Sequence, residues 1–147
     1  TFLAVREGVP TRRIVGIAGM HDATQLVDEF CRRAGLRGRA KAGLRSRIER
    51  RTFPQVTDPW RRFVAELDPA DLGTPVLLVH DRDDPAVDVG QAELIAEAHN
   101  GPIRVVLTDA LGHNRVLRDD AVLAEVVAFA DASVADGRPE PVVADRL

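Results

Sequence analysis

The run Val76-Leu77-Leu78-Val79-His80 leads directly into Asp81-Arg82-Asp83-Asp84-Pro85. β-Branched and leucine side chains follow one another with no polar alternation, so both faces of the segment need cover. A strand of this kind belongs in a parallel sheet flanked by helices. The chain must therefore supply parallel neighbours and helical crossovers. Parallel strands present their chemistry just past their carboxyl ends, and three carboxylates fall there within four positions.

The neighbours can be read on either side. Arg13–Gly19 and Ile103–Thr108 are apolar segments of strand composition. Strand 75–80, a helix over 88–99 and strand 103–108 form a βαβ unit, whose crossover length suits parallel pairing. Asp88 is expected to cap that helix with Gln91 at the capping-box position. Ala92, Ile95 and Ala98 face inward, and Asn100-Gly101-Pro102 ends the helix. His99 falls in its last turn, where a cation suits the helix dipole. A final helix, 120–131, sets Val122, Val126 and Phe129 on one face, with Asp119 or Asp120 as its cap. Residues 1–7 read as a helix closed by Gly8. The expected fold class is α/β: three parallel strands with flanking helices over residues 1–21 and 68–132, a helical insertion over 22–67, and a loose tail over 133–147.

Within the insertion, Asp22 or Thr24 can cap a helix bearing Leu26, Val27, Phe30, Cys31 and Ala34 at helical spacing, stopped by Gly35. Cys31 is the single cysteine, which excludes an internal disulfide framework and fits a core thiol in a reducing, cytoplasmic setting. Residues 32–51 hold nine Arg and Lys against Glu49 alone, a local balance of +8. Since the whole chain is −3, the remainder carries −11. Ala40, Leu44 and Ile48 make this a basic amphipathic helix, which is either a solvated face or an attractor of anions. No aromatic residues are interleaved to stack bases, so nucleic acid is not expected as a partner. Asp58-Pro59 opens a further helix. Its Trp60, Phe63, Val64 and Leu67 form one apolar stripe, suited to a core or to the roof of an apolar pocket. No apolar run approaches the roughly 20 residues of a membrane span.

Both strands of the βαβ unit end on the same edge of the sheet. The loop after the first carries Asp83 and Asp84, and the loop after the second carries His113. A carboxylate bonded to one imidazole nitrogen fixes the tautomer and stabilises the imidazolium, leaving the other nitrogen to take a proton from a nucleophile. Gly112 permits the tight backbone that projects His113.

Val76–Pro85, followed by Leu111-Gly112-His113-Asn114-Arg115-Val116-Leu117, resembles the acid and histidine segments of the α/β-hydrolase fold. In that family a strand ending in His-Gly-x-x-Asp supplies the triad acid, and Gly-His after the next strand supplies the base. The resemblance spans residues 1 to about 131 and implies a catalytic His113 oriented by Asp84, with Asp83 as runner-up. Asp81 stands where the family has glycine, which adds a third carboxylate to the assignment. His21, Trp60 and Phe63 become candidates for lining the substrate pocket, residues 22–67 become a lid, and the implied partner is a small acyl substrate with no cofactor and no metal. The family's nucleophile sits in a Gly-x-Ser-x-Gly elbow. The two serines here, Ser46 and Ser133, both lack that context. The sequence therefore reads as the C-terminal half of such an enzyme, and strand 13–18 as one deprived of a neighbour and prone to self-association.

Two rival readings use the same residues. Asp81, Asp83 and Asp84 at a strand end suit Mg²⁺ in phosphoryl transfer, although no phosphate-cradling glycine loop accompanies them. The basic segment 32–51 suits a non-catalytic module that binds an anionic partner.

Overall fold

A computed structural model describes residues 1–52, 54–55, 60, 64–66, 73–132 and 145–146. The chain divides into two compact units, Thr1–His21 with Ala65–Leu147, and Asp22–Val64. The first is an open parallel α/β sheet. Strands β1 (Ile14–Ile17), β2 (Val76–Asp81) and β3 (Ile103–Thr108) lie side by side in that order, all parallel. Asp145–Arg146 (β4) adds a two-residue parallel rung against Val106 and Leu107. β2 is central, and every one of its residues is buried, as its unbroken apolar run requires.

Alternate residues of β2 feed two cores. Val76 and Leu78 pack with Ile103, Val105 and Leu107 on one face, joined by Phe2 and Val5 of helix α1 (Phe2–Arg6). The same face receives Ala92 and Ile95 of the helix between β2 and β3. Leu77 and Val79 pack with Val106 on the other, where Val116 and Val122 complete the cluster and Val126 and Phe129 lie against it. The period of two along the strands thus sends successive side chains to different helices. Gly16 of β1 lies so close to Leu78 that an added Cβ would stand 3.0 Å from its Cδ2. A side chain at that position would require the Leu78 methyl to give by a few tenths of an ångström.

Several local expectations resolve differently. The crossover helix between β2 and β3 begins at Gly90 and has no side-chain cap. Asp88, two residues before the helix starts, instead accepts from the Gly90 amide at 2.9 Å. Gln91 does not close a capping box. It is buried, and its side-chain oxygen accepts from the His21 amide at 3.1 Å, a contact between segments remote in sequence. His99 is no dipole-facing cation. It is buried, and burial lowers its pKa, opposed only in part by the Pro102 carbonyl. The last helix (Asp120–Asp131) is capped by Asp119, which accepts from the amides of Ala121 and Val122.

The second unit contains α2 (Ala23–Arg33) and α3 (Gly38–Thr52). Asp22 caps α2 through the Thr24 amide at 2.7 Å. Val27 and Cys31 are buried on α2, whereas Leu26 and Phe30 of the expected apolar stripe are exposed. Burial is therefore narrower than the sequence pattern, limited to residues one helical turn apart. Asp28 pairs with Lys41 at 2.9 Å, joining the two helices. Among the described residues, no helix is long and apolar enough to cross a membrane.

Candidate functional site

Register places Asp81 opposite Thr108 at the carboxyl ends of β2 and β3. Strands in one sheet run about 4.8 Å apart, so the two side chains meet on the same face. The Asp81 carboxylate is fully buried and completely engaged. Its Oδ2 accepts from the Thr108 hydroxyl at 2.7 Å and from the Leu111 amide at 2.9 Å. Its Oδ1 accepts from the amides of Gly112 at 2.8 Å and Asp83 at 3.0 Å. Burial pushes this carboxyl's pKa up, but the bonds from Thr108, Gly112, Leu111 and Asp83 outweigh it and hold the group below its ordinary value. Asp81 is an anion in a cradle of donors.

The next two carboxylates continue the pattern. Asp83 Oδ2 accepts from the Ala110 amide at 3.0 Å. Asp84 Oδ1 accepts from the amides of Ala86 at 2.7 Å and Val87 at 3.0 Å, which fixes the plane of the carboxylate. Its Oδ2 then faces His113 Nδ1 at 2.8 Å. The Asp84 side chain has no exposure, while that of His113 is 37% exposed, so the imidazole is held from behind by a buried acid and open in front. Burial raises the Asp84 pKa, and the bonds from Val87, His113 and Ala86 bring it below its ordinary value. A second imidazole, that of the buried His80, stands 3.7 Å from the same Oδ2 through its Nε2. That nitrogen is 3.0 Å from the Val87 carbonyl and donates to it, since a carbonyl only accepts.

Four consecutive residues, Ala110 to His113, are therefore held by three carboxylates of the neighbouring loop. The backbone makes this possible. Ala110 and Gly112 take φ of 61° and 64°, with Leu111 between them at φ −86° and ψ −35°. Alternation of left- and right-handed residues turns successive N–H groups toward one concave side, the geometry of an anion-binding nest. From the outer side, Arg115 donates to the carbonyls of Leu111, at 2.9 Å, and Ala110.

The site residues expected from sequence divide clearly. His113 and Asp84 come together. Asp83, the runner-up acid, is engaged with backbone and not with His113. His21 lies on the loop after β1, where its Nε2 is 3.6 Å from Glu66 and its carbonyl accepts from the Ala65 amide. Trp60 belongs to the second unit, with its indole N–H on Glu49 at 2.5 Å and Arg45 over its ring at 5.2 Å. Phe63 lies outside the described residues. Asp81 is the member that sequence reasoning did not assign. The available signal was its register with a buried threonine, which places an acceptor beside a hydroxyl at the point where both strands exit.

Among the described residues, no group of three His, Cys, Asp or Glu is disposed to hold a metal ion. The oxygens of Asp81 and Asp84 already point at N–H and O–H donors, a donor set opposite in polarity to a cation's needs. Comparison with protein-family models, with curated proteins and with solved structures finds no match.

Proposed function

We propose that this chain supplies the acid and the base of a serine-type α/β-hydrolase acting on carboxylic esters or related acyl compounds. The observation that carries the reading is the bond between His113 Nδ1 and the buried Asp84 at 2.8 Å, made at the carboxyl edge of a parallel sheet. Asp84 fixes the imidazole with its proton on Nδ1 and stabilises the imidazolium during turnover. The exposed Nε2 accepts a proton from the attacking hydroxyl and returns it to the leaving group. The attacking serine is outside these 147 residues, because neither Ser46 nor Ser133 sits in a nucleophile elbow.

The test is ester turnover by the full gene product containing this chain, with short- and medium-chain p-nitrophenyl esters. His113→Ala and Asp84→Asn should each lower kcat by roughly 10³- to 10⁴-fold, whereas Asp83→Asn should leave kcat within about threefold, as Asn keeps an oxygen for the Ala110 amide. Turnover that requires Mg²⁺ and survives His113→Ala would replace this reading with phosphoryl chemistry. His113-dependent turnover by the 147 residues alone would show that the nucleophile lies within them.

A further inference from the structure

The last two residues of β2 fasten two different loops. The period of two along the strand sends Asp81 to one face and His80 to the other, the face that Val76 and Leu78 share with Ala92 and Ile95. Asp81 holds the loop that carries the base, through the amides of Leu111 and Gly112. His80 holds the loop that carries the acid. Its Nε2–H donates to the Val87 carbonyl at 3.0 Å, while the Val87 amide donates to Asp84 Oδ1 at 3.0 Å. A single peptide-bearing residue thus links the imidazole to the carboxylate, with its C=O on His80 and its N–H on Asp84.

The same Nε2 stands 3.7 Å from Asp84 Oδ2. That is beyond hydrogen-bond range, but it places the ring beside the oxygen that meets His113 Nδ1 at 2.8 Å. His80 has no access to a substrate, because it is 1% exposed and a general base must reach the proton it takes. Its presence still calls for a reason. Buried polar atoms need hydrogen-bond partners, and another aliphatic residue after Val76–Val79 would carry no such need. The bond to Val87 supplies the partner, and its effect falls on Asp84.

We infer that His80 is a positioning residue for the acid–base pair, clamping the Asp84–Val87 turn against the end of β2 so that Asp84 Oδ2 is set at His113 Nδ1. The role in turnover rests on the proposed reading of Asp84 and His113 as acid and base. The clamp itself is geometric and can be measured without turnover.

The test uses the full gene product containing this chain, labelled with nitrogen isotope at histidine. Long-range proton–nitrogen spectra should show His80 as the Nε2–H tautomer and a downfield Nδ1 proton on His113. A proton on Nδ1 of His80 in place of Nε2 would overturn the inference, and this readout needs no variant to fold. His80→Leu should broaden or abolish the His113 Nδ1 proton resonance. It should also lower kcat for p-nitrophenyl esters roughly 10- to 100-fold with KM within about twofold, as a misplaced catalytic group does. His80→Gln, whose amide nitrogen can replace the Nε2 donor, should restore the resonance and return kcat to within about threefold of the parent. Equal losses in the two variants would assign His80 to packing alone. An unchanged His113 resonance in His80→Leu would overturn the clamp while leaving His113-dependent turnover in place. Turnover indifferent to His113→Ala, with the resonance still responding to His80, would remove the hydrolase reading and leave the clamp standing.

Discussion

Asp81 and Thr108 are register partners on adjacent parallel strands, and the threonine hydroxyl donates to the aspartate at 2.7 Å. This bond ties the exits of β2 and β3 together and leaves the remaining lone pairs of Asp81 aimed at the amides of Leu111 and Gly112. The imidazole one residue later inherits its position from that arrangement. Asp84 completes the placement from the side-chain end.

The first prediction concerns Asp81→Asn. Asparagine keeps one acceptor oxygen but turns an amide N–H toward donors that expect an anion. A buried charged hydrogen-bond network loses about 2–4 kcal/mol when one member is converted in this way. Urea unfolding should show that loss, and hydrogen exchange at Leu111 and Gly112 should accelerate more than at β2 amides. Unchanged exchange at those two amides would mean the carboxylate does not hold the loop.

A second prediction follows from the depressed pKa values of Asp81 and Asp84. The unfolded chain binds protons at an ordinary aspartate pKa of about 3.9, and the folded chain only at lower pH. Their contribution is thus complete well above that value and is lost as pH falls through the folded pKa values. Unfolding free energy should drop steeply below about pH 4, and Asp84→Asn should flatten that drop. A profile of equal slope in the variant would count against the assignment.

His99 gives a separable signature at milder acidity. Its burial favours the neutral ring, so its contribution is present above the unfolded value of about 6.5 and declines as pH falls below it. His99→Leu should remove the slope that sets in below about pH 6.5 while leaving the carboxylate drop in place. Thermal midpoints measured over that fall in pH would decide it.

Gly112 offers a test of backbone geometry alone. Its φ is 64°, and a Cβ added there would stand 3.7 Å from Pro85 Cδ, an ordinary contact. Gly112→Ala should therefore cost only the left-handed backbone penalty, about 1–2 kcal/mol, with Gly112→Asn costing less. A much larger loss by denaturant titration would show that space, not conformation, dictates the glycine.

The βαβ unit was legible in sequence because β2 carries its burial on its face, with no polar residue from Val76 to Val79 to confuse the period. The approach of His113 to the acid loop followed from topology, since parallel strands must share an exit edge. The caps at Asp22 and Asp119 followed from local chemistry. What escaped is the work of side chains that bridge distant segments. Gln91 occupies a capping-box position yet bonds to His21, because burial makes a long-range partner worth more than a solvated cap. Leu26 and Phe30 have helical spacing, but spacing alone does not say how wide a face will be covered. Asp81 looked like a surplus acid because three of its four donors are backbone amides, which leave no mark in a residue pattern, and the fourth, Thr108, becomes its neighbour only through strand register.

Surface loops ordinarily accept insertions and deletions more readily than the elements they join. The segment from Ala110 to His113 reverses that expectation. Each of its four residues is docked on a carboxylate of Asp81, Asp83 or Asp84, so lengthening it by one residue would offer every docking point the wrong donor. The length of this connection is fixed as firmly as the register of a strand, and homologous chains sharing the site should vary in residue type there before they vary in number.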